Sequence, residues 1–263
     1  MMKKSLYILL ALFILVAVVI VATPASWVVY QLQRAAPNLQ IAGVSGSAWK
    51  GELSGVQIIS RGYAIALGQV TWQIQASSLL RMQPCATFTT SATAQSSRGK
   101  ICVRPFSQEL VVSEAYADVA ASTIAALFAA EIQGSFTAAI DTIHVQQIKP
   151  GQPPNIKALV SDIIWQQAAF NNSEEWIALG ELLITLSHDE QSGGIKSQWS
   201  DNAVDGKPGP VAIDLLGLLT PGPVTTINGT LRPRPHANQA MHQTLSLIGE
   251  RNAAGAYLID VKL

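Results

Sequence analysis

The stretch Gly43–Ile58, GVSGSAWKGELSGVQI, lies where the chain takes on the period of a β-strand. Apolar residues alternate with polar ones after its glycines, which is typical of a strand with one buried face. The glycines allow positive φ angles, bulges and close strand approach. Trp49 would supply a large apolar contact among them. The stretch therefore predicts a corner of a β-sheet.

Glycine-rich stretches also form small-molecule sites, but this one lacks what those sites need. A phosphate-binding loop places its lysine after the last glycine, whereas Lys50 precedes Gly51 and a strand pattern follows instead of a helix. A nucleophile elbow needs the spacing GxSxG, which Gly43–Gly46 does not have. A dinucleotide fingerprint also needs a following helix. We expect the stretch to be structural.

Other chemistry-bearing residues are scattered along the chain. The histidines show neither an HExxH nor an HxH spacing; they are His144, His188, His236 and His242. No spacing among the carboxylates indicates a general acid–base pair. We therefore expect no catalytic, cofactor-binding or metal-binding residue, and a protein that is not an enzyme.

The N-terminal part carries the strongest compositional signal. Lys3 and Lys4 precede an apolar run over residues 6–22, which as a helix would span about 25 Å of a hydrocarbon core of roughly 30 Å. The two lysines place residues 1–5 in the cytoplasm by the positive-inside rule. A cleavable signal peptide is the alternative, although the run exceeds the usual h-region. We expect a single-pass anchor, a juxtamembrane helix over 23–36 and an exported domain over 37–263.

Cys85 and Cys102 are the two cysteines of the chain. Each lies near a strand-like run, and the polar segment between them resembles a hairpin turn. In an oxidising compartment a disulfide across the hairpin would follow. Two free buried thiols are the alternative.

The exported part reads as a meander of short strands with few helices. Runs with period two, separated by Gly, Ser or Pro, predict an antiparallel sheet. Helices are expected at about Tyr116–Ala130 and Ala237–Ile248, the second with Ile248 facing inward and Gly249 as its cap. Tyr257–Leu263 alternates as a further strand. The predicted fold class is α+β, with a transmembrane helix followed by a mainly antiparallel sheet.

The chain contains a weak internal sequence repeat. A helix, a glycine–serine turn and a strand ending in tryptophan occur around Gly46 and Trp72, and again around Gly134 and Trp165. A duplicated helix-plus-meander unit would explain this repeat, with halves 37–114 and 115–263.

Charged residues make up 13% of the chain and its net charge is zero, which argues against a nucleic-acid partner.

Three segments together resemble the type II secretion system protein N family. They are TPASWV at 23–28, GVSGSAWKGELSGVQI at 43–58 and GQVTWQIQASSLL at 68–80. The family pattern G-x-x-G-S-x-W-x-G, a later tryptophan and a leucine pair match Gly43, Gly46, Ser47, Trp49, Gly51, Trp72, Leu79 and Leu80. The tail, with GPVTTINGTLRP, is also similar to the family.

This resemblance implies an accessory inner-membrane component of the apparatus that exports folded proteins from the periplasm across the outer membrane. It implies no catalytic residues and, as partners, the membrane and other subunits of the apparatus. Related envelope proteins with AsmA-like β-rich domains carry a similar motif. The alternative function is therefore binding or transfer of lipid along a curved sheet.

Overall fold

The protein is described by a computed structural model over residues 18–19, 21–60, 63–107, 109–125, 131–146, 155–172, 175–202, 208–220 and 225–262. Within these ranges the strands are β1 (Leu39–Gln40), β2 (Gly43–Gly46), β3 (Lys50–Ser60), β4 (Tyr63–Ile74), β5 (Cys85–Ala92), β6 (Gln95–Arg104), β7 (Glu109–Ala120), β8 (Ile132–Gln146), β9 (Asn155–Asn171), β10 (Trp176–Asp189), β11 (Gly194–Asn202), β12 (Val211–Leu219), β13 (Thr225–Pro233), β14 (Glu250–Arg251) and β15 (Tyr257–Lys262). The helices are α1 (Ala25–Ala35), α2 (Ala76–Leu79), α3 (Ala121–Ile124) and α4 (Gln239–Ile248).

All of these strands belong to one antiparallel sheet whose order nearly follows the chain. From β3 to β13 each strand pairs with the next, β1 and β2 both pair with β3, and the far edge runs β13, β15, β14. Short turns between alternating strands produce such a meander, because antiparallel neighbours need no crossover. The predicted mainly antiparallel fold with few helices is confirmed.

One face of the sheet is apolar across most of its width. Residues that lie directly opposite each other on neighbouring strands share a face. Four such rows are Ile74, Ala86, Ile101, Val112, Ile143 and Leu159; Phe136, Trp165 and Leu182; Ile163, Ile184, Trp199 and Leu215; and Ile213, Leu231 and Tyr257. The opposite face carries polar pairs, such as the Thr71 and Thr89 hydroxyls, 2.6 Å apart. We call these the apolar face and the polar face.

Helices cover the apolar face at two places. Near β3 and β4, Val29 of α1 packs with Leu53 and Val56. Between β8 and β15 a larger core forms, in which Ala121 of α3 and Met241 of α4 are buried. The apolar side chains of the helices and those of the sheet pack against each other and are thereby removed from water.

The two predicted helices of the exported part need correction. Residues from Tyr116 to Ala120 belong to β7 and only Ala121–Ile124 is helical, because pairing with both β6 and β8 outweighs the helix propensity of alanine; residues 126–130 lie outside the described residues. Helix α4 begins after Asn238, whose side chain accepts a hydrogen bond from the Met241 amide. Ile248 is 51% exposed rather than inward. Gly249 is the C-terminal cap residue, as predicted; it is extended, and its amide donates to the Leu245 carbonyl at 3.1 Å.

The predicted membrane span falls mostly outside the described residues. Of residues 6–22, only 18, 19, 21 and 22 are described, and they are helical or in a turn. Among the described helices, none combines the length and the apolar character that a bilayer crossing requires. The transmembrane anchor therefore stays a prediction.

Candidate functional site

The glycine-rich stretch forms a corner at the start of β3, which we call the motif corner (residues 43–51). Strand β2 pairs antiparallel with β3, with Gly46 opposite Gly51. The Ser47 amide donates to the Lys50 carbonyl at 2.9 Å, and the Lys50 amide lies 3.3 Å from Ser47 Oγ. Gly46 has φ +87°, and a Cβ there would approach the Lys50 carbonyl oxygen to 2.5 Å. The sharp turn therefore needs glycine at this position.

Trp72 is the side chain that fixes this corner. It lies directly opposite Gly51 on β4, and a Cβ at Gly51 would overlap its six-membered ring. Its indole Nε1 donates a hydrogen bond to the Ala48 carbonyl at 3.0 Å. The ring also packs against the cluster that contains Leu53 and Val56. Glycine at position 51 thus makes room for an aromatic side chain that covers the bare backbone.

The sequence predicts Trp49 as the large apolar contact of the motif corner. In the structure it is Trp72 that covers Gly51. The Trp49 side chain is half-buried, and the Trp49 carbonyl accepts a hydrogen bond from the Ile74 amide at 2.7 Å. Trp165 makes a similar indole hydrogen bond, in which its Nε1 donates to the Gln133 carbonyl, next to Gly134, at 2.8 Å; unlike Trp72, it lies opposite Phe136 rather than a glycine. This likeness agrees with the proposed duplication, which stays a prediction.

The segment that follows the apolar run is hydrogen-bonded into the motif corner. The Ala48 amide donates to the Thr23 carbonyl at 2.9 Å, and Pro24 forms a bridge with Ser47. Just before, the Thr23 hydroxyl donates to the Val19 carbonyl at 3.0 Å. Helix α1 then starts with Ala25, whose side chain is fully buried. The chain is thus attached to the sheet within one or two residues of the run over 6–22.

Cys85 and Cys102 form a disulfide between β5 and β6. They lie directly opposite each other in the hairpin, with Cα atoms 4.0 Å apart, and both are buried beside Val111. The family leucines precede this hairpin: Leu79 ends α2 and Leu80 follows it in the turn.

A shallow groove of about 450 Å³ runs along the polar face beside the motif corner. Its polar lining consists of hydroxyl, amide and charged side chains: Ser45, Lys50, Glu52, Thr71, Gln73, Thr87 and Thr89. Glu52 accepts a hydrogen bond from Gln69 Nε2 at 2.7 Å. In this groove neither the hydroxyls nor the Lys50 ammonium is paired with the Glu52 carboxylate, so the lining shows neither an activated nucleophile nor an acid–base pair. Among the described residues, no group of three or more His, Cys, Asp or Glu side chains is placed to hold a metal ion.

Two aspartates, Asp189, which is buried, and Asp201, which is partly buried, lie far from the corner and serve the fold. The Lys196 ammonium, 2.7 Å away, and the Ser192 hydroxyl lower the pKa of Asp189 to about 2. Burial opposes ionisation of Asp201, but hydrogen bonds from Arg234 and the Ile213 amide outweigh it and hold its pKa below the ordinary value. Both carboxylates are therefore charged, paired groups at neutral pH.

Comparison with known proteins identifies the family to which the chain belongs. Neither the curated proteins nor the solved structures contain a significant match. Residues 37–260 match the family described as type II secretion system (T2SS), protein N. This match covers the sheet from before β1 into β15, including the motif corner and the disulfide hairpin. The chain therefore belongs to the type II secretion system protein N family.

Proposed function

We propose that this protein is a non-enzymatic inner-membrane subunit of the type II secretion apparatus, anchored by residues 6–22, with its sheet in the periplasm. Family membership supports a secretion component. The anchored arrangement is supported by the hydrogen bond that the Ala48 amide donates to the Thr23 carbonyl. This bond joins the predicted anchor to the sheet without a flexible linker. A subunit built this way holds its sheet at a fixed distance from the bilayer.

The far edge of the sheet supplies a surface for a partner subunit. Strand β14 pairs only with Tyr257 and Leu258 of β15. Among the described residues, the outer edge of β15 beyond Leu258 therefore borders no other strand. An edge of this kind accepts an extended segment of another protein through backbone hydrogen bonds. We propose that other secretion subunits bind there.

A linker insertion tests the rigid attachment. A short Gly-Ser segment inserted between Ala22 and Thr23 should lower secretion of exported proteins in a host that lacks the native gene, while the sheet stays folded. The matched control carries the same insertion between Thr93 and Ala94, in the turn of the β5–β6 hairpin, and should support secretion. Equal secretion by both variants would show that fixed attachment is not needed. Unchanged secretion after deletion of the gene would count against the whole proposal.

The row of apolar residues that runs across the apolar face from β4 to β9 favours the alternative, which is lipid binding along the sheet. Sheets of more than about ten strands curl, and curling would make this face the inside of a trough. Phospholipid should then stay with the chain purified in mild detergent, as measured by native mass spectrometry. Ile163→Gln on the apolar face should reduce the bound lipid, whereas Leu216→Gln on the polar face should not. Absence of bound lipid in the unmodified chain would remove this alternative.

A further inference from the structure

One end of the sheet gathers the loops that lie nearest to the entry point of the chain. Register places Lys50 of β3 beside Gln73 of β4, Ile74 beside Ala86 of β5, and Cys85 beside Cys102 of β6. The connection over 75–84, which contains α2, and the turn over 105–107 therefore emerge at the same end as the motif corner. We call this the anchor-side end.

Three large apolar side chains at the anchor-side end face solvent. Leu80 is 89% exposed, Met82 is 68% exposed and Phe106 is 85% exposed. We call them the tip residues. The turn at the other end of the β5–β6 hairpin carries Thr93 and Ala94 instead. Exposed apolar surface is thus concentrated at one end of the same strands.

The fold gains nothing from the tip residues, and one of them costs backbone energy. Met82 has φ +52°, a conformation that glycine or asparagine adopts more readily than a long side chain. The Cys85–Cys102 disulfide holds the adjoining strands together, and the Val103 amide donates to the Pro84 carbonyl at 2.9 Å. A supported loop that presents apolar side chains to water is typical of a surface that another phase or molecule covers.

The position of the tip residues identifies what covers them. The apolar run over 6–22 ends directly before Thr23, which is hydrogen-bonded to Ala48 at the anchor-side end. From β3 to β6 the sheet advances by three strand spacings, or about 14 Å. The tip residues therefore lie close to the point where the chain would leave the bilayer. Arg81 is exposed between Leu80 and Met82 and places a positive charge where lipid phosphates lie.

We propose that Leu80, Met82 and Phe106 insert into the periplasmic leaflet of the inner membrane beside the anchor. They form a second membrane contact, which fixes the tilt of the sheet as the anchor fixes its position. This inference rests on the proposed membrane anchor. The bilayer is favoured over a partner protein because the predicted anchor leads the chain directly into this end of the sheet.

Photo-crosslinking in intact cell envelopes tests the contact. The photoreactive residue p-benzoylphenylalanine replaces Leu80 or Phe106 in the full chain, and mass spectrometry identifies the adducts after irradiation. Thr93 provides the matched control, since it is exposed in the opposite turn of the same hairpin. We expect phospholipid adducts from positions 80 and 106 and at least a tenfold lower yield from position 93.

Extraction of the same envelopes with alkaline carbonate separates the two proposals. If the chain is washed off, the proposed anchor is wrong. If the chain stays in the membrane but positions 80 and 106 give only protein adducts, the tip residues bind a partner and the inference is overturned. Equal lipid yields from positions 80, 93 and 106, or no adduct at 80 and 106, overturn it as well.

Discussion

Replacing Gly51 by alanine should displace Trp72 and loosen the motif corner. A Cβ at position 51 would overlap the indole ring and lie 3.0 Å from the Ser45 carbonyl oxygen. The rigid ring must therefore move away from the Ala48 carbonyl, to which it donates a hydrogen bond. Gly51 is not at a positive φ, so the effect comes from space alone.

The expected cost of Gly51→Ala is about 2 kcal/mol in the free energy of unfolding. Loss of the indole hydrogen bond contributes about 1 kcal/mol, and displacement of a half-buried ring from its apolar contacts contributes another 1–2 kcal/mol, approximately. The lower freedom of alanine in the unfolded chain offsets roughly 0.5–1 kcal/mol of this.

A double-mutant cycle shows whether the ring causes the loss. Urea unfolding of the full chain in detergent, monitored by far-UV circular dichroism, gives the free energy of unfolding of four proteins: the native protein, Gly51→Ala, Trp72→Ala and the double variant. In the Trp72→Ala background the alanine at position 51 should cost close to nothing, for a coupling of about 2 kcal/mol. An equal cost in both backgrounds would refute the contact between Gly51 and Trp72 as the reason.

Three further outcomes are expected. Trp49→Ala should lower the free energy of unfolding by about 1–2 kcal/mol, less than for a fully buried tryptophan, because the ring is half-buried; an unchanged urea midpoint would instead indicate a partner-binding role. Replacing Cys85 and Cys102 together by serine should cost about 3 kcal/mol, as expected for a crosslink with a sequence separation of 17; the same loss on reduction of the native protein checks it. The folded-state pKa values of Asp189 and Asp201 lie below the ordinary value, so the stability that they contribute is present above about pH 4 and is lost as the pH falls, for Asp189 towards about pH 2. Asp189→Asn should make the urea midpoint fall less steeply as the pH is lowered below about 4. An unchanged pH dependence would contradict a stabilising role of the Asp189 carboxylate.

Much of the sheet could be predicted from alternation along the chain. Tyr257, Ile259 and Val261 alternate in sequence, and all three contribute to the core of the apolar face. The family motif was informative because its glycines are needed by the backbone, as at Gly46. Such requirements are local, and a single sequence displays them.

Features that depend on distant partners could not be predicted in this way. Trp49 and Trp72 are both tryptophans near glycines, and only the register of β3 against β4 shows that Trp72 covers Gly51. Alanine-rich residues from Tyr116 onward favour a helix locally, but strands on both sides pair with them. The exposure of Leu80 and Phe106 likewise follows from which loops meet at one end of the sheet.

The order of the strands has a consequence for how the protein is made. Because each strand from β4 to β13 pairs with the strand synthesised before it, the sheet can form in the order in which the chain is made. Each new strand meets an edge that is already in place, so loop closure costs little at every step. The edge of β13 stays open until β15 pairs with it, and β14 then pairs with the start of β15. Assembly can therefore proceed from the N-terminal strands onward, and the sheet edge is most exposed just before the last two strands pair.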